Sequence, residues 1–151
     1  MAESTTYRLH DSLGYYMSLT SRMQERRLDD WLRPLGLTRI TWCILLAVEN
    51  EGLSRPSEIA DFVGIDRTAT SRALRQMEEA GLISRASARD DRRMTDVRLS
   101  NLGRDLMAQA TPLAEENNRI AAARLSSEER DELVRLLAKS IEGAELGLNK
   151  L

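Results

Sequence analysis

The segment Arg55-Pro56-Ser57-Glu58-Ile59-Ala60-Asp61-Phe62-Val63-Gly64-Ile65-Asp66-Arg67-Thr68-Ala69-Thr70-Ser71-Arg72-Ala73-Leu74-Arg75 reads as a helix, a turn and a second helix. Pro56 suits a first helical position, where its missing N–H costs nothing. Ile59, Ala60 and Val63 form one apolar stripe, and Gly64 suits a left-handed helix end. Asp66 is a good N-cap for the next helix, expected from about Arg67 to Ala80. Stepping 100° per residue from Thr70 gathers Ala73, Leu74 and Met77 on its side. Thr68, Arg72 and Arg75 fall on the opposite face, with Ser71 beside them. From Arg67 to Met77 there are three arginines and no acid. Hydroxyls and guanidiniums on an outward face can bond base edges and phosphates, as in a helix-turn-helix whose second helix enters the major groove. On this helix alone, an ordinary solvated face explains the pattern equally well.

The next residues favour the first reading. Gly81 closes the helix, and strands are expected over about Leu82–Ser87 and Thr95–Leu99. In the second strand Val97 and Leu99 alternate with Asp96 and Arg98. Between them Ala88-Arg89-Asp90-Asp91-Arg92-Arg93-Met94 reads as a polar tip. An arginine there can enter the minor groove while a neighbouring carboxylate fixes its direction. A basic hairpin directly after a helix-turn-helix makes a winged helix.

Asp66-Arg67-Thr68-Ala69-Thr70-Ser71-Arg72, Gly81-Leu82-Ile83, Asp91-Arg92-Arg93 and Val97-Arg98-Leu99-Ser100-Asn101-Leu102-Gly103 together resemble the MarR family of bacterial regulators. The resemblance extends from about Tyr7 to Leu148. Its Asp-x-Arg wing motif maps to Asp91 and Arg93, and Ser100 stands where many relatives have threonine. The resemblance implies a mainly α fold with a small two- to three-stranded β wing: a winged helix-turn-helix with long N- and C-terminal dimerisation helices.

The 151 residues fit one domain, with about 37–99 as the winged helix-turn-helix and about 7–33 and 101–148 as dimerisation helices. Hydrophobic residues are 42% and charged ones 30%, as in a soluble globular protein, and aromatics are only 4%. The net charge of −2 rules out nucleic-acid binding by bulk charge. Its distribution matters more. Arg67 to Arg98 holds eight arginines against five acids, a net of +3, while Leu37 to Asp66 holds two against five, a net of −3.

The chain ends carry further apolar stripes. Leu9, Leu13, Tyr16, Thr20 and Met23 predict a long helix from about Tyr7 to Leu32, closed by Pro34 and Gly36. Thr38 caps an apolar helix carrying Ile40, Ile44, Leu45 and Val48, which suits core beneath the helix-turn-helix. Ser100 caps another, with Leu102, Leu106, Ala110, Leu113, Asn117 and Ile120 on one stripe and Pro112 as an expected kink or break. Ser126 and Glu129 form a capping box ahead of Leu133, Leu136, Leu137, Ile141, Ala144 and Leu148. A winged helix does not need these stripes for its own core, so a homodimer is expected, with folding back on the same subunit as the alternative.

Double-stranded DNA is therefore the expected partner. Thr68, Ser71, Arg72 and Arg75 are the groove and phosphate candidates, and Arg67 a phosphate contact near the helix N-terminus. In the wing, Arg93 is the minor-groove candidate, Asp91 its orienter, and Arg89 and Arg92 phosphate contacts. The family resemblance implies control by a small aromatic or anionic effector between the dimer helices and the winged helix, most often in a repressor. Tyr15, Tyr16, Met17, Met23, Trp42 and Met107 are the candidate lining residues, although such a stripe also suits plain core. Other classes fare worse. His10 is the only histidine and Cys43 the only cysteine, so neither a zinc site nor a His-dependent nucleophile is expected, and no phosphate-binding glycine loop is present. No enzyme activity, metal or cofactor is expected. With no apolar run near ~20 residues and no signal-like N-terminus, no membrane partner is expected and the location is expected to be cytoplasmic. Two alternatives stay open: a winged-helix protein-interaction module without DNA binding, and a redox sensor acting through Cys43.

Overall fold

The structure, a computed structural model, describes residues 6–88 and 91–144, with side chains described outside 87–94. Among the described residues, six α-helices and a hairpin follow in the order α1 (Leu13–Leu32), α2 (Arg39–Glu49), α3 (Pro56–Val63), α4 (Arg67–Glu79), β1 (Ile83–Ala88), β2 (Asp91–Leu99), α5 (Asn101–Ala121) and α6 (Ser127–Ile141). Among the described residues no single helix is long and apolar enough to cross a membrane.

The expected caps form. Thr38 accepts from the Thr41 N–H while the Thr41 hydroxyl accepts from the Thr38 N–H, a reciprocal box. Asp29 of α1 adds an acceptor for the Arg39 N–H at 2.6 Å, so α2 starts on two side-chain acceptors. Ser126 and Glu129 close the same box on α6. The core lies between α2, the inner faces of α3 and α4, the wing base and part of α5. Its fully buried large side chains include Leu32, Ile44, Leu45, Ile59, Leu74, Met77 and Val97.

Four expectations need correction. The first helix begins at Leu13, capped by Ser12, after a separate 3-10 turn at Leu9–Asp11. The second wing strand begins at Asp91 rather than Thr95, because pairing resumes at Ala88 and Asp91 beyond a shift in register. Ser87 pairs with Thr95 but Ala88 with Asp91, so 92–94 are extra residues that bulge out of register. Asp91, Arg92 and Arg93 thus sit on a strand; their side chains, and Arg89 altogether, lie outside the described residues.

The third correction concerns α5. Its buried face is Gly103, Ala110, Ala114 and Asn117, whereas Leu102 is 48% exposed. A steric demand rotates the helix. A Cβ on Gly103 would lie 2.2 Å from the Leu82 carbonyl oxygen, so only glycine allows α5 to pass this close to the wing base. Pro112 does not break α5, which is continuous from Asn101 to Ala121. Thr111 donates its hydroxyl to the Met107 carbonyl at 2.9 Å, an added local bond one residue before the proline. Finally, α6 ends at Ile141 rather than near Leu148, a position outside the described residues.

The sheet has two strands. A single bond from the Val97 N–H to the Ser54 carbonyl, 2.9 Å, adds one rung of a third.

Candidate nucleic-acid interface

The geometry of α3 and α4 follows from four local residues. Pro56 occupies the first turn of α3, and Gly64 ends it at φ +77°, where both the Gly64 and Ile65 N–H groups return to the Ala60 carbonyl. Asp66 then caps α4, its carboxylate accepting from the Ala69 N–H at 2.7 Å. The Thr70 hydroxyl, 1% exposed, donates to the Asp66 carbonyl at 2.9 Å, so a buried polar group is satisfied within the turn.

This turn presents α4 with one face in the core and one in solvent. Thr70, Ala73, Leu74 and Met77 are buried. Arg67, Thr68, Ser71, Arg72 and Arg75 are all exposed, and none of the three arginines has a carboxylate partner among the described residues. A stripe of uncommitted guanidiniums and hydroxyls is chemically suited to phosphates and base edges.

An ion pair and a hydrogen bond that the sequence reading missed tie the wing to this unit. Glu78, in the last turn of α4, accepts from Arg85 Nε at 2.8 Å and from the Arg85 backbone N–H at 3.2 Å. The Arg85 guanidinium holds the Glu78 carboxyl below its ordinary range. On β2 the Asp96 carboxyl is likewise held low, first by the Ser54 side chain and then by Arg98, whose Nε lies 2.9 Å away. The signal was present as a seven-residue Glu–Arg spacing across a Gly turn, but reading it required knowing where β1 begins. At the wing base the Ser100 hydroxyl donates to the Gly81 carbonyl at 2.6 Å and accepts from the Gly103 N–H at 3.0 Å. Serine supplies that hydroxyl as well as threonine would.

A second unforeseen feature joins α1 to α5. Asn117 is fully buried; its Oδ1 accepts from Arg27 at 3.1 Å and its Nδ2 donates to the Gln24 carbonyl at 3.1 Å. Arg104 and Glu49 pair at 2.9 Å and tie α5 to α2.

The effector candidates are not brought together. Tyr15 and Tyr16 meet edge to face near the start of α1, with His10 against Tyr15, and Met17 is exposed nearby. Met23 lines a shallow groove along α1 with Leu19, Arg22, Arg26 and Arg33. Trp42 and Met107 instead pack against the core cluster from α2 and α5. Among the described residues the buried Trp42 Nε1–H has no acceptor. Cys43 is half-buried, and burial pushes its thiol above the ordinary value, with Arg39 opposing the shift. That disfavours the thiolate which oxidation chemistry requires. Among the described residues no group of three or more His, Cys, Asp or Glu side chains could hold a metal ion.

Comparison with known proteins agrees with this architecture. A probable transcriptional regulator from Pseudomonas aeruginosa superposes with a TM-score of 0.82 at 28% identity, covering 89% of this chain and all of that one. The organohalide-sensing regulator RdhR-CbdbA1625, in its 2,4-dichlorophenol-bound form, gives 0.84 at 25% identity over 98% of this chain and 88% of that one. A cysteine-to-serine mutant of MarR from E. coli, solved in complex with operator DNA, gives 0.79 at 23% identity over 85% of this chain and 93% of that one. Residues 35–94, from the end of α1 through the wing motif, match the MarR family model. Sequence match and whole-chain architecture agree: residues 35–94 match the MarR family model, and the chain as a whole has the winged-helix fold of these transcriptional regulators.

Proposed function

We propose that this chain binds duplex DNA sequence-specifically as a homodimer, and that a small effector releases it from a promoter it represses. The observation that carries the reading is the outward stripe of α4: Thr68, Ser71, Arg72 and Arg75, exposed on a helix whose other face is locked in the core. In this reading Arg67 contacts phosphate at the helix N-terminus. Arg93 enters the minor groove, steered by Asp91, with Arg89 and Arg92 on the flanking backbone. The operator-bound E. coli MarR has the same fold.

The dimer rests on what the single chain leaves uncovered. Leu9, Leu13, Tyr16 and Met23 of the N-terminal segment are exposed, as are Leu133, Leu136, Leu137 and Ile141 of α6, and α6 has no buried residue. Such surface demands a partner, and a second copy would pair residues 7–33 and 101–148 around the two reading units. A two-fold axis would then space the α4 helices one DNA turn apart or a multiple of it, ~34–36 Å per turn. For the effector, the 2,4-dichlorophenol of RdhR-CbdbA1625 supports an aromatic, weakly acidic class. Tyr15, Tyr16, Met17, Met23, Trp42 and Met107 gain a common wall only if the partner supplies the rest. Release follows if the effector binds one spacing of the two heads better than the other. The raised Cys43 thiol argues against redox sensing, and the reading assigns no enzymatic role and a cytoplasmic location.

Binding to genomic fragments, titrated against salt, tests it. The affinity for the selected fragment should fall linearly with salt on logarithmic axes, with a slope set by the phosphates contacted. A protein-interaction module would bind no fragment, and a salt-insensitive affinity would refute the phosphate contacts.

A further inference from the structure

We infer that Glu78 is a positioning residue for DNA binding: it clamps β1 to the end of the recognition helix, and so aims the wing whose Arg93 is to enter the minor groove. The inference rests on the DNA-binding reading above and adds to it a residue that touches no DNA.

The geometry is that of an anchored rung. Arg85 pairs with Val97 across the hairpin. In an antiparallel ladder the two backbone groups of one residue point to the same side, and alternate residues point away from the partner strand. At this rung both residues point outward, and both outward N–H groups are taken. The Arg85 N–H donates to the Glu78 carboxylate at 3.2 Å, while the Val97 N–H donates to the Ser54 carbonyl at 2.9 Å. Recognition helix and α2–α3 loop therefore grip the same rung from opposite edges.

The two grips differ in strength. Glu78 also takes the Arg85 side chain, through Nε at 2.8 Å and through Nη2, so one carboxylate holds strand and side chain together. Charge-assisted, multidentate bonds of this kind fix direction as well as distance.

Direction is what a wing needs. From Arg85 the strand runs three residues to its end at Ala88, ~10 Å at the strand rise. A tilt of ~10° at the rung would swing the end of the strand by ~2 Å on that length, enough to break a hydrogen bond of normal length. Between rung and tip the ladder slips at Ser87/Ala88, so it offers little correction of its own. The rotamer of a residue in α4 thus governs where a side chain beyond the hairpin bend arrives.

A double-mutant cycle tests the consequence, and amide exchange tests the clamp itself. At fixed salt, Glu78→Ala should weaken operator binding about five- to 150-fold, much like loss of the single specific contact it aims. In an Arg93→Ala background the same change should cost less than about twofold, since no aimed side chain remains. Glu78→Gln, which keeps an acceptor for the Arg85 N–H, should fall between wild type and Glu78→Ala. In free protein, the Arg85 amide should exchange much faster in Glu78→Ala, with the α5 amides unchanged. Equal fold-losses in the two backgrounds would overturn the inference, as would an Arg85 exchange rate indifferent to Glu78. If Arg93→Ala alone bound like wild type, the proposed wing contact would fail and the aiming role with it. A lost Arg85 protection would then report the clamp as purely structural.

Discussion

The middle of the chain and its ends bury their apolar residues to very different degrees. In α2, α3, α4 and the hairpin, large apolar side chains such as Ile44, Leu45, Ile59, Leu74, Met77 and Val97 are at most 1% exposed. In α6, Leu133, Val134, Leu136, Leu137 and Ile141 are between 40% and 62% exposed, and Leu13 of α1 is 70% exposed. The middle completes its core within one chain. The ends carry equally apolar residues at helical spacing and leave them in water, a state that costs free energy for every methylene left uncovered. One chain is therefore a finished winged-helix core attached to apolar faces that, in the reading proposed above, form half of a dimer interface.

The largest effect should come from breaking that half-interface. Leu133→Glu combined with Leu137→Glu places charge on the exposed α6 face, and sedimentation should then report a monomer. Operator affinity should drop about 10²–10⁴-fold, because linked heads bind as one and separate heads do not. The α2–α4 unit should keep its helical signal. A monomeric variant with wild-type affinity would break the comparison.

Next comes Gly103→Ala, which strikes where the two parts join. The added methyl meets backbone rather than a yielding side chain. Stability should fall by about 1–3 kcal/mol or more, read as a lowered Tm, through overpacking. Asn117→Ala should cost about 1–3 kcal/mol, since the Gln24 carbonyl and Arg27 lose their partner in a buried place. Arg72→Ala should leave Tm unchanged and weaken operator binding by about 1–3 kcal/mol, as befits a residue that the fold does not use.

The smallest effect concerns pH. The Asp96 carboxyl is held below its ordinary value by Ser54 and Arg98, and that of Glu78 by Arg85. A depressed folded value means stability that is present above the ordinary carboxylate range and lost as pH falls through the folded value. Hydrogen exchange followed downward from neutral pH should therefore show the wing loosening before α5 does. Simultaneous loosening would deny these two carboxylates any special hold on the wing.

What the sequence revealed and what it hid divide along the range of the interactions. Caps and turns are local chemistry, so Thr38, Pro56, Gly64, Asp66, Ser100 and Ser126 each announced a helix start or end that formed. The inner and outer faces of α4 followed from angle alone, since Thr70 and Met77 point in and Arg72 and Arg75 point out. The face of α5 followed only in part. Ala110 and Asn117 are buried and Leu106 and Leu113 pack against the core as the stripe predicts, but Leu102 outweighs a glycine in any apolar count and is exposed. It is the glycine that makes the closest approach. Nor could periodicity pair Arg27 with Asn117, 90 residues away, or show that Arg92 and Arg93 lie on a strand. The proposed effector residues scatter over α1, α2 and α5 for a related reason. Residues on three separate helices share no periodic pattern that would show whether they meet.

The joint at Ser100 has a mechanical consequence. Its hydroxyl and backbone hold the carbonyls of Gly81 and Leu82 while receiving the first turn of α5, and Gly103 lets that turn lie flush against them. No flexible hinge separates the long helix from the hairpin. A twist applied where α5 packs against α1 therefore reaches the base of the wing with little slack to absorb it. Release from the double helix can then be commanded from a distance, with no molecule ever entering the groove.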